Sequence, residues 1–242
     1  MKPVLIKELN SFFSSPIAYL VIAIYLVMNG LFLWVFEGDF NILHAGFSNL
    51  NNYFFIAPWI FIFLIPAITM RSFSDEINTG TIEILKTKPI TNWHIILAKY
   101  VASLILIIVA IFPTLIYIYS IYQLGNPIGN IEFGTTFGSF FGLLFLASAY
   151  TAIGIFSSTI SKNQIVSFII GVFISFFLYY GFEALASYNL FGNFTYEVQN
   201  FGMHAHFESI SKGVIDTRDL IYFISITLFF LILTNYRIQH EE

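Results

Sequence analysis

Apolar residues along this chain fall into six long runs separated by short polar breaks. The runs cover residues 16–36, 53–70, 95–122, 135–158, 164–182 and 220–236. Each is close to the ~20 apolar residues that a helix needs to cross a bilayer core. The shortest break is Ser161-Lys162-Asn163-Gln164, between the fourth and fifth runs. One helix through both would overshoot any bilayer, so a turn is expected there. The first run is too long for the apolar core of a signal peptide, and no small-residue cleavage pattern follows it, so it is expected to remain as a membrane helix.

Two polar stretches have helical periodicity. Ahead of the first run, Leu5, Leu9, Phe12 and Phe13 share one helical face, while Lys7, Asn10, Ser11 and Ser14 share the other. Ser15-Pro16 breaks this helix before the membrane begins. It reads as an amphipathic helix in the bilayer interface. Between the second and third runs, Ile77, Ile84 and Leu85 fall at i, i+7 and i+8 on one face. Ser74 can cap that helix, with Asp75 and Glu76 favourable in its first turn. Thr79-Gly80 allows a break, Pro89 ends the segment, and Thr91 can cap the next helix. A short amphipathic helix below the membrane and a solvated connector are both consistent with this pattern.

Composition agrees with the pattern. Of 242 residues, 57% are hydrophobic and only 10% charged. A soluble domain is about 25% charged because its surface must be wetted. A soluble enzyme, a DNA-binding module and a disordered chain are therefore excluded. The net charge of −4 leaves no basic field for nucleic acid. With no Cys, neither a disulfide framework nor a thiolate metal site can form. The expected fold is all-α and integral to the membrane: one domain over residues 1–242, six transmembrane helices, an N-terminal interfacial helix and a helix between the second and third spans.

The basic residues orient it. With both termini cytoplasmic, eight of the ten Lys and Arg lie inside and only Lys212 and Arg218 outside. Candidate chemistry is sparse. No P-loop, His-Glu-x-x-His or Gly-x-Ser-x-Gly occurs. Lys99 lies near enough to one end of its run to reach water. No acidic residue sits near a span midplane, which argues against an ion-coupled carrier. On the outer side, His204-Ala-His206 supplies two potential metal ligands without a third, so a solvated or packed pair is the simpler reading. Residues 209–212 with Gly213 read as a short helix and its C-cap, and Asp216-Thr-Arg-Asp219 as a cap that starts the sixth span. Gly134, Gly138 and Gly142 line one face of the fourth span, where small residues let helices approach closely, within or between chains.

The loop Phe73-Ser-Asp-Glu-Ile-Asn-Thr-Gly-Thr-Ile-Glu-Ile-Leu-Lys-Thr-Lys-Pro-Ile resembles the signature that follows the second span in ABC-2-type exporter permeases. Lys99 and the stretch His206-Phe-Glu-Ser-Ile-Ser-Lys-Gly-Val-Ile-Asp-Thr-Arg-Asp fit the same family. The segments Ile6-Lys-Glu-Leu-Asn-Ser-Phe-Phe-Ser-Ser-Pro, Gly30-Leu-Phe-Leu-Trp and Ala57-Pro-Trp are similar to its gliding-motility-associated branch. The resemblance implies a non-catalytic permease subunit in a bacterial cytoplasmic membrane. It would pair with an ABC ATPase and with a second copy or a similar permease chain. In the gliding branch an auxiliary membrane protein with a large extracytoplasmic part joins them. No cofactor is expected on this chain; ATP and Mg are expected on the partner ATPase. The implied ATPase-coupling loop comprises Asp75, Glu76, Ile77, Gly80, Thr81, Glu83, Ile84 and Leu85. The competing expectation is an ion-coupled carrier or channel-like protein that needs no ATPase. For a third class, an intramembrane enzyme, the chain offers no nucleophile or metal constellation.

Overall fold

The computed structural model describes residues 1–86, 91–188 and 192–240, and every regular element in them is helical. Six helices are long and apolar enough to cross a membrane: Pro16–Val35, Asn51–Asn78, Asn92–Leu124, Phe133–Ser158, Gln164–Ser187 and Thr217–His240. The chain is thus a multi-pass, all-α membrane protein, as the six apolar runs predict. An even number of spans returns the C-terminal end to the side of the bundle that holds the N-terminal helix. That side is called the terminal side below, and the opposite one the far side.

Local chemistry explains the ends. Between the fourth and fifth spans, Asn163 caps the new helix, its side-chain oxygen accepting from the Ile165 N–H at 2.9 Å. Asp216 does the same for the sixth span through the Arg218 N–H, at 2.9 Å. The far-side helix before it is longer than its predicted core, running Met203–Ser211, and Gly213 follows with φ +86°. Thr91 occupies the cap position of the third span, but its hydroxyl meets the His94 ring nitrogen at 2.8 Å instead of a backbone N–H. Pro89 lies outside the described residues.

The fourth span is the axis of the bundle. It packs against the second, third, fifth and sixth spans and the far-side helix. Ala147, Ala149 and Ala152 are fully buried along it, so neighbouring helices close on a nearly smooth surface. The second, third and fourth spans are mostly buried, whereas the first, fifth and sixth keep most of their apolar surface outward.

Between spans, where lipid offers no hydrogen bonds, buried hydroxyls pair with one another. Tyr25 and Tyr53 meet at 2.7 Å, and Tyr53 meets Thr114 at 2.8 Å. Thr114 donates its only hydrogen to the Ile111 carbonyl, at 2.6 Å. Tyr53 must therefore donate to Thr114, and Tyr25 to Tyr53. This one-way chain ties the first three spans together. Tyr100, Ser148 and Thr227 likewise join the third, fourth and sixth, through contacts of 2.6 and 3.3 Å.

The glycine face of the fourth span packs within the chain. A Cβ on Gly138 would stand 2.9 Å from the Ile210 carbonyl oxygen and 3.2 Å from the Gly213 Cα, both on the far-side helix and its cap. One on Gly134 would meet nothing within 4 Å. Gly138→Leu should lower stability by about 1–3 kcal/mol or more through overpacking, and Gly134→Ala should be neutral. Thermal melts of the solubilised chain measure both. A Gly138→Leu variant as stable as the parent would refute the packing role.

Candidate functional site

The second span does not stop at Met70, where its apolar run ends. The helix continues as Arg71–Asn78, burying Ser72, Phe73 and Ser74. Ser74 is therefore not a cap: its hydroxyl donates back to the Met70 carbonyl at 2.5 Å, inside a continuous helix. This extension places Glu76 beside the base of the third span, where Lys99 emerges, and beneath the N-terminal helix Lys2–Phe13.

These elements build a compact charge cluster. The Lys99 ammonium donates to the Ser72 carbonyl at 2.7 Å and lies 2.9 Å from Glu76 Oε1 and 3.2 Å from Glu8 Oε1. Two of these contacts are hydrogen bonds, to Ser72 and Glu8, and the third is an ion pair with Glu76. The Phe73 ring closes the pocket, its centroid 5.1 Å from the nitrogen. Lys7 adds a second cation at 3.3 Å from Glu76 and 3.5 Å from Glu8, so two positive charges face two negative ones. Burial works to lower the Lys7 pKa, but the Glu76 and Glu8 carboxylates outweigh it, and the value is raised. Lys99 does not snorkel to water, because its side chain is only 2% exposed under the N-terminal helix. The apolar face of that helix is correspondingly turned onto protein: Val4 and Phe12 are buried, and Leu5, Leu9 and Phe13 pack against the core.

The rest of the loop divides into anchors and a tip. Asp75 accepts from the Gln164 side-chain amide at the start of the fifth span, and Ile77 packs against the core. Glu76 is already engaged by two lysines of its own chain. Thr79 ends the helix with its hydroxyl on the Asp75 carbonyl, at 2.7 Å. Gly80 then turns with φ +69°, and a second short helix, Thr81–Lys86, begins. The single predicted helix is two helices hinged at Thr79-Gly80. Gly80, Thr81 and Glu83 are exposed, while Ile82 tucks back into the core. Ile84 and Leu85 belong to the second short helix, and their side chains lie outside the described residues.

Periodicity could not find Lys7, Glu8 and Gln164 as partners of this loop. Glu8 did leave a trace: it sits one turn from both Val4 and Phe12, on the buried face of its helix. A carboxylate on an apolar face requires a cation, and Lys99 is the one charged residue inside the third apolar run.

The sequence profile of the ABC-2 family transporter protein matches residues 7–239. This chain belongs to the ABC-2 transporter family. The match begins within the N-terminal helix and includes all four residues of the charge cluster. No curated protein matches the chain.

On the far side of this ABC-2 chain, the two histidines are separately occupied. His206 Nδ1 lies 2.6 Å from Asp219 and its Nε2 2.9 Å from the Asn200 carbonyl, with the ring stacked on Tyr222 at 3.9 Å. His204 faces Glu183 at 2.9 Å. His206 holds the far-side helix to the start of the sixth span, His204 lies against the end of the fifth, and no group of three metal-ligating side chains occurs among the described residues.

Proposed function

We propose that this protein is the non-catalytic permease subunit of an ATP-driven ABC exporter, and that the segment from Asp75 to Leu85 couples it to a separate ATPase. The observation that carries the reading is the continuous helix Asn51–Asn78, whose outer end is braced by Glu76 on Lys99 and Lys7, and by Asp75 on Gln164. A helix so braced transmits a push at its tip to the membrane as a rigid lever. The exposed Gly80–Glu83 tip is where a partner would push. Family membership supplies the partner class: a P-loop ATPase with bound ATP and Mg, since this chain has no nucleotide-binding motif of its own. The outward apolar faces of the first, fifth and sixth spans leave room for a second permease copy. The gliding-motility branch, with its auxiliary membrane protein, is supported by the resemblance over residues 6–16, 30–34 and 57–59.

Co-expression with the ATPase encoded nearest to this reading frame tests the proposal. Stable co-purification, and transport that stops in a Walker-lysine variant of that ATPase, is the expected result. A chain that never binds an ATPase and transports on an ion gradient alone would establish the carrier reading instead.

Orientation is tested separately. With the terminal side cytoplasmic, a thiol at Ser187, exposed on the far side, should react with an impermeant maleimide in cells whose outer barrier is opened. A thiol at the exposed Asn78 should react only after lysis. The opposite labelling would invert the topology.

A further inference from the structure

His206, on the far-side helix, has an acceptor at each ring nitrogen. Nδ1 lies 2.6 Å from an Asp219 carboxyl oxygen, and Nε2 lies 2.9 Å from the Asn200 carbonyl oxygen. A backbone carbonyl only accepts, so the Nε2 contact needs a ring hydrogen. A neutral imidazole has one N–H in all. With that hydrogen on Nε2, a bare Nδ1 lone pair would face an ionised carboxylate at 2.6 Å, and two acceptors repel. The Nδ1 contact therefore needs a hydrogen of its own. Either the ring carries it, as an imidazolium beside a carboxylate, or Asp219 carries it, as a carboxylic acid donating to Nδ1. Both arrangements hold one proton more than a neutral His beside an ionised Asp, and both are neutral overall.

The surroundings do not hand this proton to one partner. Asp219 lies in the first turn of the sixth span, where a negative charge is favoured. Its side chain is only 7% exposed, however, and its second oxygen, Oδ2, has no hydrogen-bond partner among the described residues, which opposes a full charge. The proton thus belongs to the pair. Nearby charges largely cancel. The pair lines a polar cavity of about 470 Å3 together with Glu208, Lys212, Asp216 and Arg218, two anions and two cations, all exposed. Lys212 pairs with Glu208 at 3.2 Å. Tyr222, stacked on the ring, donates its hydrogen to the Phe201 carbonyl at 2.6 Å, and Tyr196 on the cavity wall is exposed. His204 faces Glu183 instead, and the fourth span meets the far-side helix through Gly138, Ser139 and Gly142, which do not ionise. None of these contacts supplies the missing hydrogen.

We propose that His206 and Asp219 form a one-proton lock on the far-side helix. While the proton is held, the ring ties Asn200, just ahead of the helix, to the start of the sixth span. When the proton leaves, one of the two contacts becomes a pair of acceptors, and a buried negative charge loses its counterpart. The helix then loosens from the sixth span, and from Gly138 and Gly142, on which Phe207 and Ile210 rest. The stabilisation is present on the acid side of the pair's titration and is lost as pH rises through it. The lock does not depend on the transport reading above.

Hydrogen exchange of the solubilised full-length chain, corrected for the intrinsic rate, reads the lock from about pH 5 to about pH 9, a range that spans histidine titration. Backbone protection over residues 203–211 should fall about 10- to 100-fold as pH rises, the scale of one charge-assisted hydrogen bond. His206→Gln should abolish this fall, with lower protection at acid pH. His204→Gln leaves the pair intact and should keep it. Asp219→Asn separates a proton lock from an ordinary ion pair. Its amide donates permanently to Nδ1 while the Nε2 hydrogen holds the Asn200 carbonyl, so at alkaline pH its protection should exceed the parent's. Loss of an ordinary ion pair would instead lower protection at every pH. The proposal is overturned by that uniform loss in Asp219→Asn, by a parent whose protection is flat with pH, or by a fall that His204→Gln abolishes or His206→Gln retains.

Discussion

Lys99→Met should cost about 3–5 kcal/mol of stability, the range for breaking a buried ion pair by removing one partner. The ammonium is 2% exposed and joins Glu76, Glu8 and the Ser72 carbonyl. Without it, two carboxylates face each other at the junction of the N-terminal helix with the second and third spans, and a backbone carbonyl loses its donor. Lys7 softens the loss only slightly, because its side chain is 59% exposed and solvent screens it. The loss should appear as a lower melting temperature and a smaller monodisperse peak of the solubilised protein. Adding Glu76→Gln should restore part of the stability, since one of the stranded charges is removed with its cation. The double-mutant cycle then isolates the pair from the rest of the cluster. Strictly additive losses would show that Lys99 and Glu76 do not stabilise each other. By the same geometry, Glu76→Arg would place a third cation in the cluster. That variant tests folding before it tests any partner.

All six spans are legible in the sequence because the bilayer imposes one strong requirement, about 20 apolar residues in a row. The cap at Asp216 is legible for a local reason: a short side chain reaches its own backbone two residues on. The end of the second span is different. The pattern predicts a helix that starts afresh at Ser74, yet residues 71–78 continue the second span, with Glu76 neutralised there by Lys99 and Lys7. Positions 8, 76 and 99 are brought together only by tertiary packing, so no window of sequence contains the cluster. The glycine face was legible as a close approach, but its partner was not. The far-side helix that Gly138 touches follows some seventy residues later in the chain, and nothing in the fourth span specifies it.

Gly80→Val should leave the fold intact and weaken coupling. Gly80 adopts φ +69°, a conformation that costs an L-residue roughly 1–2 kcal/mol, with β-branched residues the worst placed. Among the described residues nothing lies within 4 Å of a Cβ built there, so the cost is conformational and no core contact is lost. The anchors on either side, Asp75 on Gln164 and Glu76 on Lys99, are untouched. The strain is relieved by another turn geometry, which redirects the short helix Thr81–Lys86 relative to the lever Arg71–Asn78. A bias of 1–2 kcal/mol depletes the original geometry about 5- to 30-fold. ATPase co-purification and ATP-driven transport should fall by comparable factors while melting temperature and insertion stay near the parent values. Gly80→Asn is the control, since Asn tolerates positive φ, and it should retain most of the activity. If Gly80→Val binds the ATPase and transports as well as the parent, the loop is a connector, and the contact that delivers the work of ATP hydrolysis must lie elsewhere on the terminal side.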